Sequence, residues 1–319
     1  MHFKSDVGSG PPPFKCVVMW TPALGRWRKM KKIICPKCGM EMIEDNISQK
    51  EVKSYEDCIR KCKKCEIGAS NAKVNPTIIY KDFKLNIPHQ LLDNLEYTLN
   101  NSNNIRNRAN KKIKIGYSTS EDAVTWIFVK YFIQTQKIDI LRKILCFKSK
   151  INEILIWGVP QINKEYTSPL KNICKELGEN ENSFSEPDLI FVCEDETVFI
   201  EVKVKSPNDK KDSNKRDFDK YLCNNFYVNK EQAKQSKYYE LVRNWTIANM
   251  YEDTKKTILI NLAPEKTFYK ENDLDFHNFI NSIKNKENFF QLSWENVIHK
   301  MKNESLDDEI IFELKKRIT

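Results

Sequence analysis

A chain of 319 residues, 40% hydrophobic and 30% charged, has the profile of a globular protein with a packed core and not of a disordered polar chain. No apolar run approaches the roughly 20 residues a membrane-crossing helix needs, so the expectation is a cytoplasmic protein with no membrane partner. A formal net charge of +9 favours polyanionic partners, because each neutralised phosphate releases condensed counterions.

Residues 1–29 differ in composition from the rest of the chain. They carry Gly8-Ser9-Gly10, three consecutive prolines and two tryptophans, but no Asn or Ile. The expectation is an upstream extension, either a disordered arm or the product of a false start, with Met30 opening the Lys/Ile/Asn-rich text. No uninterrupted apolar stretch comes after its basic residues, so it does not read as a signal peptide.

Residues 30–75 form a cysteine module. Five of the ten cysteines lie between Cys35 and Cys65. Cys35-Pro-Lys-Cys38 and Cys62-Lys-Lys-Cys65 are two CxxC knuckles, and each lets two thiolates reach one tetrahedral Zn²⁺. Gly39 and Gly68 are expected to ease the turns, and the chain between the knuckles to form a zinc-ribbon hairpin. Cys58 is an alternative ligand. Four thiolates leave no open position, so the site is structural, serving DNA contact or partner docking.

Residues 76–117 read as a helical connector, with Leu91, Leu92, Leu95 and Leu99 at helical spacing. The run from Asn100 to Asn110 reads as an exposed loop. Ser118 with Glu121 fits a capping box, and Ser120 is a second candidate cap for a helix over 121–136. A strand over 153–159 comes next. The β-rich runs 188–192 and 197–204 are separated by Glu194-Asp195-Glu196, a hairpin signal. A long helix is expected over 229–250 and a buried strand over 257–263. Residues 266–319 are expected to be helical. The order within 118–265 predicts an α/β domain with a mixed central sheet flanked by helices.

Side chains alternate across a strand, so Glu201 and Lys203 share one face while Ile200, Val202 and Val204 take the apolar one. Asp188 opens the partner strand, where the hairpin brings its carboxylate beside Glu201. Two carboxylates so placed repel, and a Mg²⁺ ion relieves that repulsion while keeping waters of its own. A bound cation lowers the pKa of its water and polarises a phosphoryl oxygen. Lys203 supplies positive charge beside it.

Pro187-Asp188, then twelve residues, then Glu201-Val202-Lys203 resembles the PD-(D/E)xK motif of restriction-endonuclease-like nucleases. The resemblance implies that Asp188 and Glu201 bind Mg²⁺, with Mn²⁺ as a substitute, and that Lys203 assists the attacking water. It implies a further acidic ligand on the preceding helix, which Glu121 matches. It also implies a Gln-x-x-x-Tyr motif on the following helix, matched by Gln235 and Tyr239. The resemblance covers residues 118–265. The loop after Lys203 is basic, and Lys205, Lys210, Lys211, Lys215 and Arg216 are its candidate phosphate contacts.

These readings converge on a zinc-ribbon-bearing, Mg²⁺-dependent endonuclease acting on DNA, with a role in restriction or phage defence. Double-strand cleavage with one site per chain would call for a homodimer. The rival readings are an RNA or structure-specific nuclease, a catalytically inactive zinc-ribbon protein that binds nucleic acid, and a zinc-ribbon transcription-associated factor, which leaves the hairpin charges unexplained.

Overall fold

The computed structural model describes residues 32–44, 52–72, 75–213, 216–223, 225–252, 255–268 and 273–318. The extension 1–29 and the candidate contact Lys215 lie outside them. Everything described belongs to one compact unit spanning Lys32–Thr319.

The described residues open with four short strands, β1 (Ile43–Glu44), β2 (Arg60–Cys62), β3 (Ile67–Ala69) and β4 (Ile78–Tyr80), paired in sequence order as an antiparallel sheet. The segment read as a connector therefore begins with a strand of the cysteine module. Its helices are α1 (Leu95–Asn101) and α2 (Arg108–Ile115). The run expected to be an exposed loop instead holds the end of α1, the buried Ser102 and Asn103, a 3-10 turn over Ile105–Asn107 and the start of α2, whose Lys111 is buried. Leu91, Leu95 and Leu99 pack into the main core with Ile127 and Leu189, which makes the connector part of the larger domain.

α3 (Glu121–Gln134) is next, capped by Ser120, whose hydroxyl accepts from Ala123 N at 3.2 Å. The Ser118 box does not form, because the Ser118 hydroxyl instead accepts from Ile78 N at 3.1 Å. Then come α4 (Ile138–Ile144), β5 (Ile151–Ile156), β6 (Val159–Pro160), α5 (Leu170–Glu176), β7 (Leu189–Cys193) and β8 (Glu196–Val202). The long helix expected over 229–250 is two helices, α6 (Lys230–Gln235) and α7 (Tyr239–Tyr251), broken at Lys237, whose φ of +61° no helix accommodates. After β9 (Lys256–Ala263), the segment expected to be helical holds α8 (Leu274–Ser282), α9 (Trp294–Asn303) and α10 (Asp308–Ile318), but also a strand, β10 (Phe289–Ser293).

The large sheet has the order β10-β9-β8-β7-β5-β6. β8, β9 and β10 are parallel neighbours, while β7 is antiparallel to both β8 and β5, so the sheet is mixed. β7 and β8 are buried along their whole length, because helices cover both faces. Leu189, Phe191, Val198 and Ile200 pack on one side with α3, α9 and α10. Ile190, Val192 and Phe199 pack on the other with α5, α7 and α8. The alternation expected from the sequence holds, yet neither face of the hairpin is open along its length.

At the β5 end, Glu153 is buried and its carboxylate accepts backbone N–H groups from Ile154, Gln161, Ile162 and Asn163 at 2.8–3.1 Å. That carboxylate folds the chain after β6 back along β5. The tight β5–β6 connection uses positive φ at Trp157 (+51°) and Gly158 (+81°).

Candidate active site and metal centre

β7 and β8 pair with Leu189 opposite Ile200, and one further step of that register sets Asp188 opposite Glu201. Both share the face of Ile190 and Phe199, beneath α7. Asp188 is pinned twice: its carboxylate accepts from Val202 N at 2.8 Å, and its carbonyl accepts from Trp157 N at 3.2 Å. Lys203, just past the end of β8, is held by its N–H on Leu262 O (2.8 Å) and its carbonyl on Trp294 Nε1 (2.9 Å).

Lys203 Nζ lies 2.7 Å from Glu201 Oε1 and 3.2 Å from Glu240 Oε2 of α7. The other oxygen of Glu201 accepts from Asn244 Nδ2 at 2.7 Å. Glu121 reaches over the sheet end from the opposite helical layer, where Val204 N donates to its Oε1 at 3.1 Å. Asp188, Glu201, Lys203 and Glu121 thus meet at the C-terminal end of β8, and all four line a cleft of about 910 Å³. Tyr239, Lys205 and Arg216 line it too. Gln235 does not; it is exposed at the end of α6, because the break at Lys237 separates it from Tyr239. Lys210 lies away from this cleft, paired with Asp273 and Asp275 at 3.1 and 2.8 Å, and Lys211 pairs with Asp209 at 2.9 Å.

The charges are strongly interdependent. Burial pushes the Asp188 carboxyl well above its usual range, and the facing Glu201 adds to that. Burial also acts to raise Glu201, but Lys203, then Arg243, outweigh it and hold Glu201 below an ordinary glutamate. Glu121 is raised by burial, against the opposing pull of Lys203. Burial disfavours the Lys203 ammonium, yet Glu201, Glu240, Glu121 and Asp188 together keep it charged, above an ordinary lysine. Four carboxylates therefore act on the Lys203 ammonium, and two of them, Glu201 and Glu240, act on the Arg243 guanidinium as well.

Two residues of this floor escaped the sequence reading. Glu240 directly follows Tyr239 on α7, but nothing in its type marks it. Lys111 is the other. Its ammonium lies 2.5 Å from Glu186 Oε1 and 3.1 Å from Asp122 Oδ1, and 4.4 Å above the centre of the Trp157 ring. Burial opposes its charge, but Asp122 and Glu186 raise it above the ordinary lysine value. Glu186 precedes Asp188 by two residues and Asp122 adjoins Glu121, so Lys111 ties together the two chain segments that carry those carboxylates.

The cysteine module brings Cys35, Cys38, Cys62 and Cys65 together, with their Sγ atoms all within 4.8 Å of one another. These four could hold a metal ion such as zinc, and an all-thiolate set suits a closed tetrahedral site. Gly39 N donates to Cys35 O (3.0 Å) and Glu66 N to Cys62 O (2.9 Å), closing the two knuckles alike. The Met40 N–H pulls the Cys38 thiol down to about 7 against the effect of burial. Two expectations are corrected. The second knuckle turns at Glu66 (φ +54°), not at Gly68. Gly68 lies in β3, where a Cβ would stand 2.5 Å from Cys58 Sγ, and Cys58 packs there outside the ligand group. Among the described residues this quartet is the one group of three or more His, Cys, Asp or Glu side chains so closely converged. The carboxylates of the cleft are spread more widely around Lys203.

No helix among the described residues is long and apolar enough to cross a membrane. The chain matches no family model, no curated protein and no solved structure.

Proposed function

We propose that this protein is a Mg²⁺-dependent nuclease with a restriction-endonuclease-like core, hydrolysing phosphodiester bonds of DNA. The observation that carries the reading is the placement of Asp188 and Glu201 across one step of the β7–β8 hairpin, with Lys203 beside them, on the floor of a cleft. The order of helix, hairpin and following helix supports it, as does the basic rim formed by Arg106, Lys114, Lys205, Arg216 and Lys220. A role in restriction or phage defence rests on the resemblance alone.

Asp188 and Glu201 would hold the ion, with Glu121 as a further ligand. Mg²⁺ needs only one or two protein carboxylates when substrate phosphate and water fill its other positions, so a wide set of carboxylates suits it better than a tight cage would. The excess of carboxyl groups over the two cations Lys203 and Arg243 supports cation binding on electrostatic grounds, since a bound cation favours the ionised form of Asp188. When bound, the ion would polarise the phosphoryl oxygen and acidify its water. Lys203 remains protonated and places its ammonium where negative charge develops on the phosphate. Asn244 orients the Glu201 carboxylate, while Val202 N and Trp157 N fix Asp188. The basic rim holds the flanking backbone without reading sequence.

The test is to incubate the protein with supercoiled plasmid, linear DNA and RNA in Mg²⁺, Mn²⁺ or EDTA, beside Glu201→Ala and Lys203→Ala. The expected result is metal-dependent cleavage of DNA that each substitution lowers by roughly 100-fold or more. Preference for RNA would move the substrate assignment and keep the chemistry. No cleavage under any condition, with nucleic-acid binding intact in all three proteins, would make the chain a binding protein instead.

A further inference from the structure

Arg243 stands on the first turns of α7, between the two residues that touch Glu201 and its partner lysine. Asn244 bonds Glu201, and Glu240, one turn earlier, meets Lys203. Arg243 lines the cleft and is half-buried. Among the described residues its guanidinium makes one hydrogen bond, from Nε to Asn244 Oδ1 at 3.2 Å. No carboxylate comes within ion-pair distance of it there. Among the described residues its terminal N–H groups therefore meet no protein acceptor, and they stand in the cleft lining where a ligand can reach them. The contrast with Lys203, engaged by two carboxylates, is plain. The Arg243 guanidinium also lies 6.0 Å from the centre of the Tyr239 ring, and the Arg216 guanidinium lies 5.6 Å from the same ring. Phe218 and Tyr221 pack edge-on against that ring at 5.2 and 5.6 Å, which fixes its orientation.

We infer that Arg243 is a catalytic residue that receives the substrate phosphate lying against Glu201, with Tyr239 as its stacking support and Arg216 as a second cation on the same ring. The inference rests on the nuclease reading for the identity of the reaction, but not for the binding itself. A guanidinium offers two parallel N–H groups to the two non-bridging oxygens of a phosphodiester, a geometry that an ammonium does not reproduce. The Asn244 side-chain oxygen and the Tyr239 ring hold Arg243 in place without saturating it. Because the Tyr239 ring is engaged by guanidinium groups, this part of the site contacts the backbone and discriminates weakly between bases.

The experiment compares wild type with Arg243→Lys, Arg243→Gln and Arg216→Gln. Binding of a fluorescein-labelled 12-nucleotide DNA is followed by anisotropy in EDTA and in Ca²⁺ over a salt series, and cleavage is followed in Mg²⁺. Arg243→Gln is expected to weaken binding about 10- to 100-fold and to reduce the slope of log affinity against log salt by about 0.7–0.9, one phosphate contact. Arg243→Lys keeps the charge and the fold but loses the fork, so it should keep the slope while recovering only part of the affinity and of kcat. Oligonucleotides of different sequence should lose affinity equally. Unchanged affinity and slope in Arg243→Gln would overturn the inference, as would full activity in Arg243→Lys. If Arg243→Gln does not fold, Arg243→Lys decides alone, and full wild-type affinity and kcat in that variant refute the fork. If wild type cleaves nothing, the nuclease reading fails while the slope change at Arg243 can still stand. If wild type cleaves and the slope does not move, this inference fails by itself.

Discussion

Replacing Lys111 by Met would leave two carboxylates facing a buried space without their shared cation. The ammonium lies 2.5 Å from Glu186 and 3.1 Å from Asp122, with side-chain exposures of 5% for Lys111, 6% for Glu186 and 19% for Asp122. Removing one partner of a buried pair costs about 3–5 kcal/mol, since the other charge stays desolvated. Asp122 can still draw on water, and Glu186 keeps the Asn104 N–H at 2.8 Å on its second oxygen. The loss therefore falls near the low end, about 3 kcal/mol, read by urea unfolding through tryptophan fluorescence. The raised Lys111 contributes its full stability below the ordinary lysine value of about 10.4 and loses it only above. Between pH 8 and 5 the wild-type contribution is thus constant. Adding Glu186→Gln to the variant should recover about 1–3 kcal/mol. A loss below about 1 kcal/mol or strict additivity with Glu186→Gln would refute the account. Because Lys111 holds the segments of Asp188 and Glu121, cleavage should fall in the variant even where it remains folded.

Three further outcomes are expected. Asp188 has a folded pKa raised by burial, so its charge destabilises the metal-free protein above the ordinary carboxyl range and the cost disappears on acidification. Asp188→Asn should accordingly stabilise the metal-free protein at neutral pH by about 0.5–2 kcal/mol in urea titrations while abolishing cleavage, and an equal or lower stability would contradict this. Glu201 has a lowered pKa, so its contribution is present above the ordinary glutamate value and lost as pH falls below it. Asn244→Ala removes one of the groups holding that value down, and the acid limb of the pH–rate profile should move to higher pH; an unmoved limb would count against the Asn244 contact. At the cysteine module, mass spectrometry under native conditions should find one bound zinc, lost in Cys62→Ser and kept in Cys58→Ala. Zinc retained in Cys62→Ser would remove that residue from the ligand set.

Much of the site was legible because its logic is local. The β7–β8 hairpin arises from period-two alternation around a polar turn, and register then decides which charges face each other. The two CxxC knuckles specify their convergence by spacing alone. Ser120 capped α3 as one of two candidates, and the structure chose between them through a distant contact, Ile78 N on Ser118. What stayed hidden depends on partners remote in sequence. Lys111 sits in an Asn/Arg-rich stretch that reads as solvated, and its burial is decided by Glu186 and Asp122. The break between α6 and α7 carries no Gly or Pro; Lys237 takes φ +61° there, so the sequence reads as one helix. β10 is five residues long and joins the sheet only by pairing with β9, which no local pattern announces.

The buried carboxylate of Glu153 bears on how this molecule coexists with its own copies. A sheet margin offers unpaired backbone groups to any passing strand. Here the outermost strand is two residues long and contains Pro160, and the chain beyond it is folded back by three N–H groups converging on one side chain. Without that carboxylate the Ile162 and Asn163 N–H groups would be open to a foreign strand. A single acidic residue thus does at this margin what another strand would do, and Glu153→Gln, which turns one of two acceptor oxygens into a donor, should loosen the turn and raise the tendency to aggregate before it touches the cleft.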